Sequence, residues 1–96
     1  MQLEIITPEA KIFSGEATAV QLPGLDGLFQ VLNNHAPIIS SLKEGEVKVD
    51  LTTAVADVED LHPSVRVDEK SASVIYVKIN GGVVEMSNNK IIVLAE

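Results

Sequence analysis

The feature that most constrains this chain is its punctuation. Short apolar runs alternate with glycine, proline and asparagine turns from one end to the other, and no helical stripe of ordinary length appears. Such runs, bounded by turn formers, read as strands. Strands are expected at residues 3–6, 11–13, 17–22, 28–32, 38–42 and 47–51, then at 74–79, 83–86 and 91–94. Pro8 stops the first, Gly15 bends or bulges the second, and Pro23-Gly24 ends the third. Glu44-Gly45 marks a short hairpin turn. Asn80-Gly81-Gly82 and Ser87-Asn88-Asn89 supply residues that tolerate positive φ between the last three strands. Strands at this spacing predict an all-β antiparallel sandwich or barrel. At 96 residues, the chain is expected to be one domain, 1–96. Its aromatics are only 3% of residues against a hydrophobic fraction of 46%, so the core must be built from Val, Ile and Leu.

One segment breaks the pattern. Residues 52–73 carry five acids (Asp57, Glu59, Asp60, Asp68, Glu69) against Arg66 and Lys70, and read as an excursion from the sandwich. A solvated acidic loop is the plain reading. A short strand over residues 65–67 or a helical turn over 54–60, before Pro63, are the alternatives.

Charge narrows the partners. A net charge of −7, with a lone arginine and six scattered lysines, argues against nucleic acid, whose phosphates demand clustered cations. It argues equally against adsorption to anionic lipid. The longest uncharged stretch, residues 27–42, is too short and too polar to span a bilayer. The N-terminus has no basic start and no long apolar run, so a soluble protein that is not exported is expected. Any membrane association would come through a protein partner. The absence of cysteine removes disulfides, thiolate metal sites and cysteine nucleophiles, and fits a reducing compartment.

The place to seek function is a pair of loops, Pro23-Gly24-Leu25-Asp26-Gly27 and Asn33-Asn34-His35-Ala36-Pro37, separated only by the run 28–32. Their closeness in sequence predicts that they emerge together at one end of the β structure. Asp26 and His35 would then come within reach, as a base with an orienting carboxylate would. No serine stands in either loop, His62 is distant in sequence, and no third metal ligand is spaced suitably, so a catalytic or metal role has little support. Neither GxxxxGK[ST], GxGxxG nor HExxH occurs. A contact or turn role for the loop pair is the better reading, with no cofactor expected. A second signal lies at the end of the chain: Val83-Val84 and Ile91-Ile92-Val93-Leu94 place apolar side chains on both faces of their strands, which suggests a covered outer face.

These residues carry a resemblance. The blocks LEIITPEAKIFSGEA, VQLPGLDGLFQVLNNHAPIISSLKEGEVKV and INGGVVEMSNNKIIVLAE follow in order and cover residues 2–50 and 74–96. Together they resemble the N-terminal β-sandwich domain of the epsilon subunit family of bacterial F-type ATP synthase, called delta in mitochondria. The resemblance implies a ten-stranded antiparallel β-sandwich, a flattened barrel of two five-stranded sheets. It implies a non-catalytic rotor subunit in the central stalk, bound to the gamma subunit and resting on the membrane c-ring, so that proton transport is coupled to ATP synthesis. Carried over residue by residue, Gly24, Leu25, Asp26, Gly27, Leu28 and His35 would face the c-ring, and Val83, Val84, Ile92 and Leu94 would face gamma. The location implied is the cytoplasmic face of the bacterial plasma membrane, peripheral and held through the complex.

There are two departures. The acidic insert, about residues 51–73, is longer than the family usually has there. The family also commonly continues past Leu-Ala-Glu into a helical hairpin that restrains hydrolysis and in some members binds ATP, whereas this sequence stops at Glu96. Neither ATP binding nor hairpin inhibition is therefore expected of these residues. The rival reading is a free-standing sandwich that binds a ligand or protein, with few exposed aromatics to stack on sugar.

Overall fold

The computed structural model describes residues 1–96. Nine strands form: β1 (Gln2–Ile6), β2 (Lys11–Gly24), β3 (Gly27–Leu32), β4 (Ile38–Leu42), β5 (Gly45–Leu51), β6 (Val65–Val67), β7 (Val74–Ile79), β8 (Gly82–Ser87) and β9 (Lys90–Ala95). A single 3-10 turn, Val58–Asp60, lies between β5 and β6. No helix is long and apolar enough to cross a membrane.

The chain is an all-β sandwich, as expected, but its hydrogen bonding differs from two separate five-stranded sheets. All nine strands belong to one continuous ladder, β1-β9-β8-β4-β2-β5-β7-β6, with β3 on β2 and a closing β1–β2 pairing. The reason is β2. The two strands predicted at 11–13 and 17–22 are one strand of 14 residues, which pairs with β1 through its first half and with β3 and β5 through its second. Its inward-facing residues change phase, from Ala17 to Val20 and Leu22, where the β5 register slips between Ala17 and Ala19. A one-residue slip turns every later side chain to the other face, so the bulge lets one strand serve both layers. The antiparallel rule has one exception: β1 runs parallel to β9, with Leu3 opposite Ile91.

Between the layers sits one cluster of 19 buried apolar residues, among them Leu3, Ile5, Val20, Leu22, Val47, Ile75, Val84, Met86, Ile91 and Val93. No buried side-chain polar atom lacks a partner. Each fully buried Leu, Ile or Val contributes about 1.5–3 kcal/mol, so this aliphatic layer is the main source of stability. Local turn chemistry sets the ends. Asn88 and Asn89 take φ of 53° and 57°, the two positive values of a type I′ hairpin, and join β8 to β9 with Ser87 opposite Lys90.

The insert is not a plain loop: the strand weighed for residues 65–67 forms as β6, and of the helical turn weighed over 54–60 only the 3-10 turn Val58–Asp60 is present. Asp57 caps the 3-10 turn by accepting the Glu59 N–H at 3.0 Å. β6 pairs with β7, Val65 opposite Val77 and Arg66 opposite Tyr76. Without β6, that edge of β7 would carry unpaired peptide groups, and Val65 and Val67 would lose their packing on the core. The Arg66 guanidinium lies 4.3 Å above the Tyr76 ring and 3.3 Å from Glu46. The Tyr76 hydroxyl donates to Asp68 at 3.2 Å.

Candidate functional site

The two loops do not share an end. β3 lies between them, and six residues of strand at ~3.3 Å each hold them about 20 Å apart. The first loop closes the β2–β3 hairpin, with Gly24 opposite Gly27, and Lys43 in the β4–β5 turn donates its N–H to the Pro23 carbonyl at 2.9 Å. The second is tied to the far end: the Asn34 N–H donates to Asn89 Oδ1 at 2.8 Å, and Asn33 Oδ1 accepts from the Met1 ammonium. The expectation that both loops emerge together is thus corrected. A strand delivers its two ends to opposite rims of a sheet, however close they are in sequence.

At the first end, Pro23 and Gly24 belong to the strand rather than the loop, which leaves Leu25-Asp26 as the turn. Gly24 is required by crowding: a Cβ there would lie 2.9 Å from the Gly27 carbonyl oxygen and from the Phe29 ring. Gly27 is required by its backbone, at φ +128° with open space around it. The turn projects Leu25 and Leu28, 62% and 65% exposed. With Ile39 on β4 they border a groove of about 470 Å³ lined by residues 24–29 and 39–41, in which Asp26 is the single charged group.

At the other end, His35 is exposed and its Nδ1 lies 2.6 Å from the Ala36 carbonyl, a contact within its own turn. His62 Nδ1 likewise accepts the Ser64 N–H at 3.1 Å. The structure therefore does not pair His35 with Asp26. No three His, Asp or Glu side chains converge on a point that could hold a metal.

The second candidate surface is the outer face of β4, β8, β9 and β1. Register aligns Ser41, Val83, Leu94 and Ile6 in one row, and Ile39, Glu85, Ile92 and Glu4 in the next. Val83, Leu94 and Ile39 are exposed, and Ile92 is half-buried. Val84 is not on this face. It is fully buried in the core, because strand alternation that puts Val83 outside must put Val84 inside. Ile39, at 76% exposure, also lies on this face and was missed by sequence reasoning. Its signal was the same as that of Val83-Val84: in Ile38-Ile39 one of two adjacent residues must face out. The row ends on Glu4, held 3.1 Å from both Lys11 and Lys90. Those hydrogen bonds, Lys11 first and Lys90 second, keep its carboxyl below the ordinary glutamate range.

Known proteins share this sequence and this fold. The profile of the family described as ATP synthase, Delta/Epsilon chain, beta-sandwich domain matches residues 1–62. The ATP synthase epsilon chain of Chlorobium limicola is 39% identical over 95 residues, covering 99% of this chain and 88% of that one. The epsilon chain of Campylobacter concisus is 36% identical over 96 residues, but this chain spans only 60% of its length. Among solved structures, a chain of the cryo-EM structure of the Tetrahymena thermophila mitochondrial ATP synthase central stalk and c-ring superposes with a TM-score of 0.68. It is 15% identical, over 99% of this chain and 62% of that one, and so speaks to the fold. The match along two thirds of the sequence, the relatives alike over nearly all of this chain and the shared sandwich agree: this chain belongs to the delta/epsilon chain family of ATP synthase, as its β-sandwich domain.

Proposed function

We propose that this chain is a non-catalytic subunit of the central stalk of a proton-translocating F-type ATP synthase, joining the gamma subunit to the c-ring. The observation that carries the reading is the likeness to ATP synthase epsilon chains over nearly all of this chain. The two surfaces supply the means. The Leu25-Asp26 turn, with Gly24, Gly27 and Leu28, is the end that meets the ring: exposed, and held by two glycines whose geometry admits no other residue cheaply. The face bearing Val83, Ile92 and Leu94, extended by Ile39, meets gamma, since burying such a patch against a partner gains about 25 cal/mol per Å². His35 lies at the rim opposite the turn, so it belongs to a separate contact or to none. The chain works at the membrane through the complex, on its cytoplasmic side, and binds no ATP itself.

The test is a pull-down from detergent-solubilised membranes of the source cell. The wild-type chain brings down gamma and c-ring. Leu94→Asp with Val83→Asp loses gamma while the isolated domain stays folded, and Leu25→Ser with Asp26→Lys keeps gamma but weakens retention of the ring and uncouples proton flow from synthesis. Normal proton-coupled ATP synthesis in membranes lacking the protein would overturn the reading.

A further inference from the structure

The insert builds a groove that neither surface uses. A cavity of about 490 Å³ opens between residues 53–61 and the barrel wall, with Phe13, Leu51, Val55 and Leu61 as its apolar floor. Phe13 is set there by Gly15: a Cβ at that position would come within 3.0 Å of the ring. The walls are fixed to the barrel by backbone bonds, Thr52 N–H to the Glu16 carbonyl at 3.1 Å and Val55 N–H to the Ala72 carbonyl at 2.8 Å. Around the rim stand Glu16, Asp57 and Asp60, and no lysine or arginine lines the groove. Glu16 has the Met1 ammonium at 3.6 Å, but Asp57 and Asp60 have no cationic nitrogen within 4.0 Å. The 3-10 turn between them leaves Val58 60% exposed beside the opening.

We propose that this groove docks a basic amphipathic segment of a partner polypeptide, an apolar side chain entering between Phe13 and Leu61 while flanking Lys or Arg residues meet Asp57 and Asp60. Two features select that occupant. An apolar floor of this size accommodates a Leu, Ile or Phe side chain. The uncompensated Asp57 and Asp60 on the rim, in a chain of net charge −7, attract cations and repel a second copy of the same chain. The groove is built by the insert and the β2 wall beneath it, so its occupant is independent of the stalk reading.

The experiment is an amide-resolved NMR titration of the full chain with two synthetic 12-residue peptides, one of Lys and Leu in amphipathic order, the other with Glu replacing Lys. The Lys/Leu peptide is expected to move the amides of Gly15, Val55, Asp57 and Leu61, and the Glu/Leu peptide to leave them still. Asp57→Asn with Asp60→Asn, in which the side-chain amide at position 57 keeps a capping oxygen, should bind roughly fivefold more weakly, the loss of two rim ion pairs. Leu61→Ser should weaken binding while leaving the β-sheet amides in place. Equal shifts with both peptides, or shifts confined to the β4-β8-β9 face, would overturn the proposal. So would movement of the same amides on concentrating the free chain, which would assign the groove to a second copy.

Discussion

Two glycines with similar backbone strain should differ sharply when mutated to alanine, and the difference can be worked out from space alone. Gly27 (φ +128°) and Gly82 (φ +145°) both hold conformations that cost an L-residue about 1–3 kcal/mol. At Gly27 nothing lies within 4 Å of an added Cβ. Gly27→Ala therefore loses the backbone term only, about 1–2 kcal/mol, or roughly 4–16 °C in Tm for a domain of this size. At Gly82 the new Cβ would stand 2.1 Å from the Leu94 carbonyl oxygen and 3.0 Å from the Ala95 Cα. Both atoms are β9 backbone, so no rotamer change relieves the clash. Reaching ordinary contact at 3.4 Å requires the strands to separate by about 1.3 Å, which disrupts the Gly82–Ala95 and Val83–Leu94 pairings. Two weakened ladder bonds at about 1 kcal/mol each bring the total to about 4 kcal/mol, a large share of the roughly 5–15 kcal/mol typical of such domains. Urea and thermal unfolding followed by circular dichroism measure both variants. A Gly27→Ala loss equal to or above that of Gly82→Ala would refute the reasoning.

Three further outcomes are expected. Val84→Ala should lower stability by about 1–3 kcal/mol in urea melts, and Val83→Ala by less than about 0.5 kcal/mol, because only the first empties core volume; equal losses would contradict the assigned faces. The Glu4 carboxyl, depressed by Lys11 and Lys90, contributes stability that is present above the ordinary glutamate pKa and is lost as pH falls through its lower folded value. Glu4→Gln should flatten the acid limb of the stability profile, and Asp68, depressed by the Lys70 N–H and then the Tyr76 hydroxyl, should add a similar acid-side loss that Asp68→Asn removes. Arg66→Lys should cost about 0.5–1 kcal/mol despite keeping the charge, since the planar stack on Tyr76 is lost, and should speed hydrogen exchange at β6 while leaving β7 protected.

Much of the fold could be read from the chain because its signals are local. Turn residues announce their own φ, so Asn88-Asn89 and Gly81-Gly82 marked their hairpins correctly. The acidic insert was harder: residues 65–67 form a strand only because β7 offers an unpaired edge, a fact about a distant segment. At the candidate site, the residue types were legible and their grouping was not. Gly24, Leu25, Asp26, Gly27 and Leu28 gather at one turn as read, whereas His35, equally visible in sequence, sits at the other rim. The apolar pair Val83-Val84 and the run Ile91-Ile92-Val93-Leu94 announced that something faces out without saying which.

Alternation, composition and ordered blocks of residues are enough to settle the all-β class, the aliphatic core and the family, since each can be read along the chain without knowing what packs on what. Three outcomes needed the folded molecule: that β2 is one strand serving two layers, that β1 lies parallel to β9, and which of two adjacent apolar residues is buried. They hang on register between segments far apart in the chain. A slip of one residue there inverts every face, and no local pattern records it.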